Sequence, residues 1–175
     1  MKTRLFCASL LGTSLIASPA FAQDSDAMQI TSQVPAFCSE FQNNATPLEL
    51  GSLTGPTGQI VPSFTGTETS RTIAASFYCN APANVTIKAE PLLTTNSTTD
   101  TSSFTSRVDY TATLVWDNVQ GSVSSTVIDG AVIPASEANI GPMSLALSNP
   151  AVVNNRRPVA GAYSGRVTLT VALAQ

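Results

Sequence analysis

The segment Val167-Thr-Leu-Thr-Val-Ala-Leu-Ala174 alternates larger apolar residues with threonine and alanine, without interruption. Its larger apolar residues are Val167, Leu169, Val171 and Leu173. Because successive side chains point to opposite sides of a β-strand, a period of two is typical of a strand with one buried face. The segment therefore predicts a half-buried strand.

The same alternation recurs upstream and predicts an all-β protein with the strand spacing of a β-sandwich. The clearest further strands are 72–79, 85–89 and 107–117, and weaker candidates are 48–51, 122–128 and 143–148. Turn-forming residues at 80–84 join the first two of these strands, and the Ser- and Thr-rich stretch 94–106 is expected to be an exposed loop.

The composition excludes several functions. The 175 residues include 11 acidic, 8 basic and no histidine, and 11% are charged, against roughly 25% in an ordinary soluble domain. A chain without histidine has no Ser-His-Asp or Cys-His catalysis and no His-ligated zinc. So few basic residues argue against a nucleic-acid groove, which needs clustered Lys and Arg. We therefore expect no cofactor, no metal site and no nucleic-acid partner.

Residues 1–22 have the pattern of a signal peptide. Lys2 and Arg4 form a basic start, and 5–16 is an apolar run too short to span a bilayer. Ala20 and Ala22 occupy the small-x-small positions of a cleavage site. We expect cleavage after Ala22 and export of a chain without a transmembrane helix.

Export makes Cys38 and Cys79 most simply a disulfide, because oxidising compartments favour pairing of thiols. A metal-binding or catalytic role is weak, since two distant thiols without histidine cannot complete a tetrahedral site. Cys7 lies in the predicted signal peptide and is lost with it. A disulfide-closed ring of about 42 residues destabilises the unfolded chain by on the order of 4 kcal/mol.

One more alternating stretch precedes Cys38. Its apolar face carries Met28, Ile30, Ser32 and Val34, and its other face carries Gln29, Thr31 and Gln33. Taken alone, this pattern predicts an ordinary first strand of a β-sandwich.

Several short motifs follow in a fixed order. The alternating stretch leads into Val34-Pro-Ala-Phe-Cys38, then Leu48-Glu-Leu-Gly51, then Phe77-Tyr-Cys79. Ala160-Gly-Ala-Tyr-Ser-Gly165 then precedes the final alternating strand. In these features the chain resembles the spore coat protein U-type domains, a family that includes major subunits of archaic chaperone–usher pili.

The resemblance implies a pilin-like fold and a mode of assembly. The fold is an incomplete immunoglobulin-like β-sandwich, residues 36–175, which lacks its last strand. The segment 23–35 is then an N-terminal donor-strand extension that repairs the same gap in another copy by β-augmentation. The donor-strand residues are Met28, Ile30, Ser32 and Val34, and those of the acceptor-groove strand are Val167, Leu169, Val171 and Leu173.

The resemblance also implies partners and a location. The chain would be a structural subunit of an extracellular fimbria that contributes to adhesion or biofilm formation, and its partners would be copies of itself or related pilin subunits. A periplasmic chaperone and an outer-membrane usher would act before and during assembly. The protein would therefore cross the inner membrane to the periplasm and reach the cell surface of a Gram-negative bacterium.

Two other functions compete with this one. An enzyme would depend on carboxylates alone, as glycosidases do, but the candidates have no recognisable arrangement and are expected to be surface residues. These candidates are Glu90, Asp109, Asp117, Asp129 and Glu137. We therefore expect a protein that is not an enzyme.

The stronger alternative is a self-contained secreted or periplasmic binding domain, an immunoglobulin-like adhesin that does not polymerise. Its site would lie in the loop 94–106 or near Tyr110 and Trp116. The simpler role of these two aromatic residues is core packing, because both fall on the apolar face of one predicted strand.

Overall fold

The computed structural model describes residues 28–41 and 46–174, so the predicted signal peptide lies outside the described residues. Strands dominate this part of the chain, and the all-β prediction is confirmed. The strands are β1 (Ser70–Cys79), β2 (Ala83–Ala89), β3 (Leu92–Leu93), β4 (Phe104–Thr105), β5 (Arg107–Trp116), β6 (Val119–Ser124), β7 (Ala131–Ala135), β8 (Asn139–Ala151), β9 (Arg157–Pro158) and β10 (Val167–Leu173). Among the described residues, the one helical element is a 3-10 turn, Val153–Asn155. In the same part of the chain, no helix is long and apolar enough to cross a membrane.

Two antiparallel sheets make up most of the structure. The larger sheet has the strand order β1-β8-β5-β3, with β6 also paired to β5, and the smaller has the order β10-β2-β7. A short parallel pair joins β4 to β9. The chain passes from one sheet to the other between β1 and β2, between β2 and β3, between β6 and β7, and between β7 and β8. From Val34 onward these strands form one compact unit with a β-sandwich-like core.

The central strand of the larger sheet, β5, places every second side chain in this core. Its inward residues are buried, with at most 2% of each exposed: Val108, Tyr110, Ala112, Leu114 and Trp116. The Trp116 ring meets Phe77 of β1 edge-on, with ring centroids 5.3 Å apart. Its indole N–H donates to the Phe77 carbonyl oxygen at 3.1 Å, so the polar atom is paired inside the core.

The smaller sheet supplies the opposite wall of the core through β2. Its inward residues are Ala83, Val85, Ile87 and Ala89, all buried. On one side, β6 of the larger sheet lies directly against β7 of the smaller. A Cβ atom on Gly121 would lie 2.5 Å from the Ile133 side chain, so a larger residue at position 121 would displace Ile133. The contact closes the sandwich along β6 and β7.

The three weaker strand predictions were wrong in their bounds. Residues 48–51 form no strand, because the left-handed backbone of Gly51 (φ 76°) turns the chain. Instead of 122–128, the strand β6 runs from Val119 to Ser124, and Val127 N donates to the Ser124 carbonyl in a turn. The prediction at 143–148 covers only the centre of β8.

The prediction that all candidate carboxylates lie on the surface was wrong for Asp109. This side chain is buried, and it accepts hydrogen bonds from the Arg107 guanidinium at 2.8 Å and the Ser125 hydroxyl at 2.9 Å. The hydrogen bond to the Asp109 carboxylate raises the pKa of the Arg107 guanidinium above its ordinary value. The Ser125 hydroxyl also accepts from Tyr110 N at 3.0 Å. Asp109 therefore has a structural role at the start of β5.

Substitution in the β5 core should unfold the protein more easily than substitution on the outer surface. Leu114 is fully buried, whereas Val132 on β7 is 62% exposed. We expect Leu114→Ala to lower the free energy of unfolding by about 2–5 kcal/mol, because it removes buried methyl groups and leaves a cavity. The matched control, Val132→Ala, should change it by less than about 0.5 kcal/mol. Urea unfolding followed by tryptophan fluorescence measures both, and equal losses would contradict the assigned core.

High pH should destabilise the fold through Tyr110. Burial of its hydroxyl, with a smaller contribution from the charge of Glu90, raises the pKa of Tyr110 from 10.0 to about 12. Between these values only the unfolded chain loses the proton, so stability is intact below about pH 10 and falls as the pH rises towards 12. Tyr110→Phe should lose less stability over this interval. Urea unfolding at several pH values gives the two slopes, and identical slopes would contradict the assignment.

Candidate functional site

The strand β10 forms one edge of the smaller sheet. Its inward side chains Val167, Leu169 and Val171 are only half-buried, whereas their partners on β2, Ala89, Ile87 and Val85, are buried almost completely. Leu173 at the end of the strand is 36% exposed. Among residues 34–41 and 46–174, no strand pairs with the side of β10 that faces away from β2. We call this side, from Val167 to Leu173, the open edge.

The hydrogen-bond ladder determines which backbone groups lie on the open edge. Glu90 N donates to the Arg166 carbonyl at 2.8 Å, and Ala174 N donates to the Pro82 carbonyl at 2.9 Å. Because bonded and non-bonded pairs alternate along an antiparallel ladder, the even-numbered residues of β10 bond to β2. The N–H and C=O groups on the open edge are therefore those of Val167, Leu169, Val171 and Leu173.

The same four positions thus combine unpaired backbone groups with apolar side chains. The structure brings these four predicted groove residues together on one strand, with three of them packed against the core. Unpaired strand edges of this kind bind other extended chains, since each free N–H or C=O group is a ready partner. The chemistry available here is strand addition.

The other edge strand on this side of the sandwich is β1, which is partly covered. Ser39 N donates to the Tyr78 carbonyl at 2.8 Å, and Asn80 N donates to the Phe37 carbonyl at 3.0 Å. Residues 37–39 therefore extend the sheet beside the end of β1. Since β6 and β7 close the opposite side, β1 and β10 are the strands that border the open side of the sandwich.

The predicted disulfide joins Cys38 to Cys79 at this place. Asn80 reinforces it, because its side-chain oxygen accepts from Phe37 N at 2.7 Å and its Nδ2 donates to the Pro35 carbonyl at 2.9 Å. A covalent bond and two amide hydrogen bonds thus fix residues 35–38 against the end of β1. The sequence predicts Asn80 only as part of a turn. Its position directly after Cys79 was the one indication that it could contact the residues beside Cys38.

The predicted donor strand is described from Met28 onward. Residues 28–33 contain no strand, and the Met28 and Ile30 side chains are each 88% exposed. Ser32 is also exposed, and Val34, at the start of the compact unit, is 84% exposed. Within the described residues, this alternating segment pairs with no strand. Its role as a donor strand stays a prediction.

The alternative binding site near two aromatic residues has no accessible surface. Tyr110 is 2% exposed and Trp116 is fully buried, as core packing requires. In the loop 94–106, the Asp100 carboxylate accepts hydrogen bonds from Ser102 and Ser103, which lower its pKa to about 2. These bonds close a local turn, which is a structural use of the carboxylate.

Two surface clefts lie at opposite ends of the sandwich. The larger, of about 480 Å³, lies between the turn at Asp117 and the loop at Glu137. The smaller, of about 370 Å³, lies at the start of β10 beside Leu93 and Arg166. Within the described ranges, no group of three or more His, Cys, Asp or Glu residues is arranged to hold a metal ion.

Comparisons of the chain with protein-family models, with curated proteins and with solved structures give no match.

Removal of the disulfide should destabilise the fold. We expect Cys38→Ala together with Cys79→Ala to lower the free energy of unfolding by on the order of 4 kcal/mol, because the unfolded chain is no longer closed into a ring. Urea unfolding of the oxidised protein and the double variant measures the difference. A loss below about 1 kcal/mol would contradict this expectation.

Proposed function

We propose that this chain is the structural subunit of an extracellular fimbria that polymerises by donor-strand exchange. The segment 27–34 of one copy would pair with the open edge of β10 in the next copy. The observation that carries the proposal is the coincidence, at four alternate residues of β10, of unpaired backbone groups and apolar side chains. In this proposal the fold is the immunoglobulin-like sandwich of pilins, with its last strand supplied by another molecule.

The donor segment has the properties that strand addition requires. Ladder hydrogen bonds give affinity, and alternate side chains in pockets fix the register. The side chains of Met28, Ile30 and Val34 lie on one face of the segment and are exposed. They can therefore be buried in another copy without being removed from a core of their own. Burial of roughly 100 Å² of apolar surface for each contributes several kcal/mol at about 25 cal/mol per Å², before the ladder is counted.

The geometry of this exchange makes a fibre. A segment of one copy that enters a different surface of the next copy is a heterologous contact, which propagates when it does not close into a ring. The anchor at Cys38 and Asn80 supports this role, because it would transmit load from the extension to β1. The open edge also explains the need for a periplasmic chaperone and an outer-membrane usher, since an uncovered edge aggregates.

The binding-module alternative receives less support. Its aromatic site is buried, and an unpaired strand edge has no part in it. Adhesion or biofilm formation would follow from the fibre as a whole, at the cell surface of a Gram-negative bacterium.

The donor assignment can be tested with two neighbouring substitutions. Ile30→Asp places a charge on the apolar face, whereas Thr31→Asp places it on the polar face of the same segment. We expect Ile30→Asp to reduce SDS-resistant polymer by at least about tenfold, because a buried charge opposes insertion. Thr31→Asp should assemble within about twofold of the unchanged chain. Gel ladders and electron microscopy of purified protein measure both.

Deletion of residues 24–33 gives an independent result. A truncated chain that folds, by circular dichroism, but stays monomeric is expected. Fibres from the truncated chain would overturn the donor assignment. A full-length monomer that remains monodisperse without a chaperone would instead support the binding module.

A further inference from the structure

The charged residues are divided unequally between the two ends of the sandwich. The connections after β1, β5 and β7 lie together at one end, because register pairs Cys79 with Asn139 and Ala83 with both Ala135 and Leu173. We call this the disulfide end. The opposite end carries the starts of β5 and β10 and the connection from β6 to β7.

The described residues of the disulfide end carry acidic side chains and no basic ones. Asp117 lies at the turn after β5, and Glu137 lies in the loop after β7, so both line the cleft of about 480 Å³. Glu40 follows Ser39, which pairs with Tyr78 near the end of β1. All three carboxylates are exposed.

The opposite end carries five of the six basic residues in the described chain. They are Lys88, Arg107, Arg156, Arg157 and Arg166, and the acidic residues there are Glu90, Asp100, Asp109 and Asp129. Five positive and four negative charges leave this end at +1, against −3 at the disulfide end, and Glu49, which lies beside Gly66 ahead of β1, is counted at neither end. Of these five cations only Arg107 forms an ion pair among the described residues, so Arg157 and Arg166, both exposed, face solvent.

The sixth basic residue does not alter this division. Arg71 lies beside the middle of β8, opposite Leu145, and forms an ion pair with Glu68. Its two terminal nitrogens also donate to the carbonyl oxygens of Thr46 and Pro47. The charge of Arg71 is thus neutralised between the two ends.

An apolar patch adjoins the carboxylates of the disulfide end. The Phe37 and Tyr78 rings lie 5.9 Å apart, and Tyr78 is paired with Ile140 across the sheet. These side chains are 49%, 40% and 65% exposed, respectively. An exposed apolar centre with a charged rim is the usual composition of a protein–protein interface. This patch also lies beside residues 35–38, where the extension leaves the compact unit.

We propose that the disulfide end of one copy docks on the opposite end of the next copy, where Arg157 and Arg166 are exposed. The inference rests on the proposed fibre and adds a second contact to it. The patch would be covered by the neighbouring copy, and the carboxylates Asp117 and Glu137 would face the exposed cations Arg157 and Arg166. Charge complementarity of this kind accelerates association and selects the orientation of partners.

The contact also selects the direction of the inserted strand. The extension begins at the disulfide end of its own copy. If it runs antiparallel to β10, the residues that join it to its own compact unit lie at the start of β10 in the next copy, at the opposite end, which contains Arg166. A parallel insertion would place these joining residues at the end of β10, which lies at the disulfide end of the next copy. The carboxylates of both copies would then lie together. Like charges face to face disfavour that orientation.

Two matched charge reversals test this contact. Glu137 at the disulfide end and Asp129 at the opposite end are both exposed loop carboxylates, so Glu137→Lys and Asp129→Lys change the net charge equally. We expect Glu137→Lys to slow formation of SDS-resistant ladders from purified full-length monomer by about tenfold at low salt. Asp129→Lys should leave the rate unchanged or raise it. The difference should disappear at about 500 mM NaCl, where surface charges are screened.

A compensating change completes the test. Arg166→Glu alone should slow assembly, and a chain that carries both Glu137→Lys and Arg166→Glu should recover most of the rate. Equal effects of Glu137→Lys and Asp129→Lys, or no recovery in the double variant, would overturn the end-to-end contact. Assembly that still requires residues 24–33 in that case leaves the proposed fibre intact. Assembly without residues 24–33 would refute the donor strand itself, whatever the charge variants do.

Discussion

The packing of β5 against β2 is the interaction on which the other features depend. Alternate side chains of the two strands fill the core from opposite sheets, and those of β5 are at most 2% exposed. Once β5 and β2 face each other, β8 and β6 flank the first and β10 and β7 flank the second. The sandwich closes where β6 meets β7, because Gly121 admits the Ile133 side chain. The remaining edges, β1 and β10, must then lie on the opposite side.

In this arrangement the two edge strands, β1 and β10, differ in how far they are covered. The edge of β1 is covered near its end by residues 37–39, which the disulfide and Asn80 hold in place. The edge of β10 has no such cover within residues 34–41 and 46–174. The disulfide and the Asn80 hydrogen bonds thus cover part of one edge, and the other edge stays able to accept a strand. The proposed fibre uses both properties.

The sequence predicted strands best where one strand face is buried and the other is solvated. In β5 and β10 the apolar positions follow the period of two, and both strands were predicted within one residue. Prediction failed at 48–51, which forms no strand before the turn at Gly51, and at 125–128, where a turn after Ser124 ends β6. Burial of Asp109 was also missed, because its partners Arg107 and Ser125 become neighbours only when β5 and β6 align.

The sequence by itself determined the all-β class, the pairing of the two cysteines and the inward faces of β5 and β10, because these follow from local periodicity and composition. Only the tertiary structure decided that β10 is an edge strand, that its odd-numbered residues carry the free backbone groups, and that five of the six basic residues of the described chain collect at one end. Such properties depend on strand order and register. Both arise from contacts between residues far apart in the chain, which no local pattern encodes.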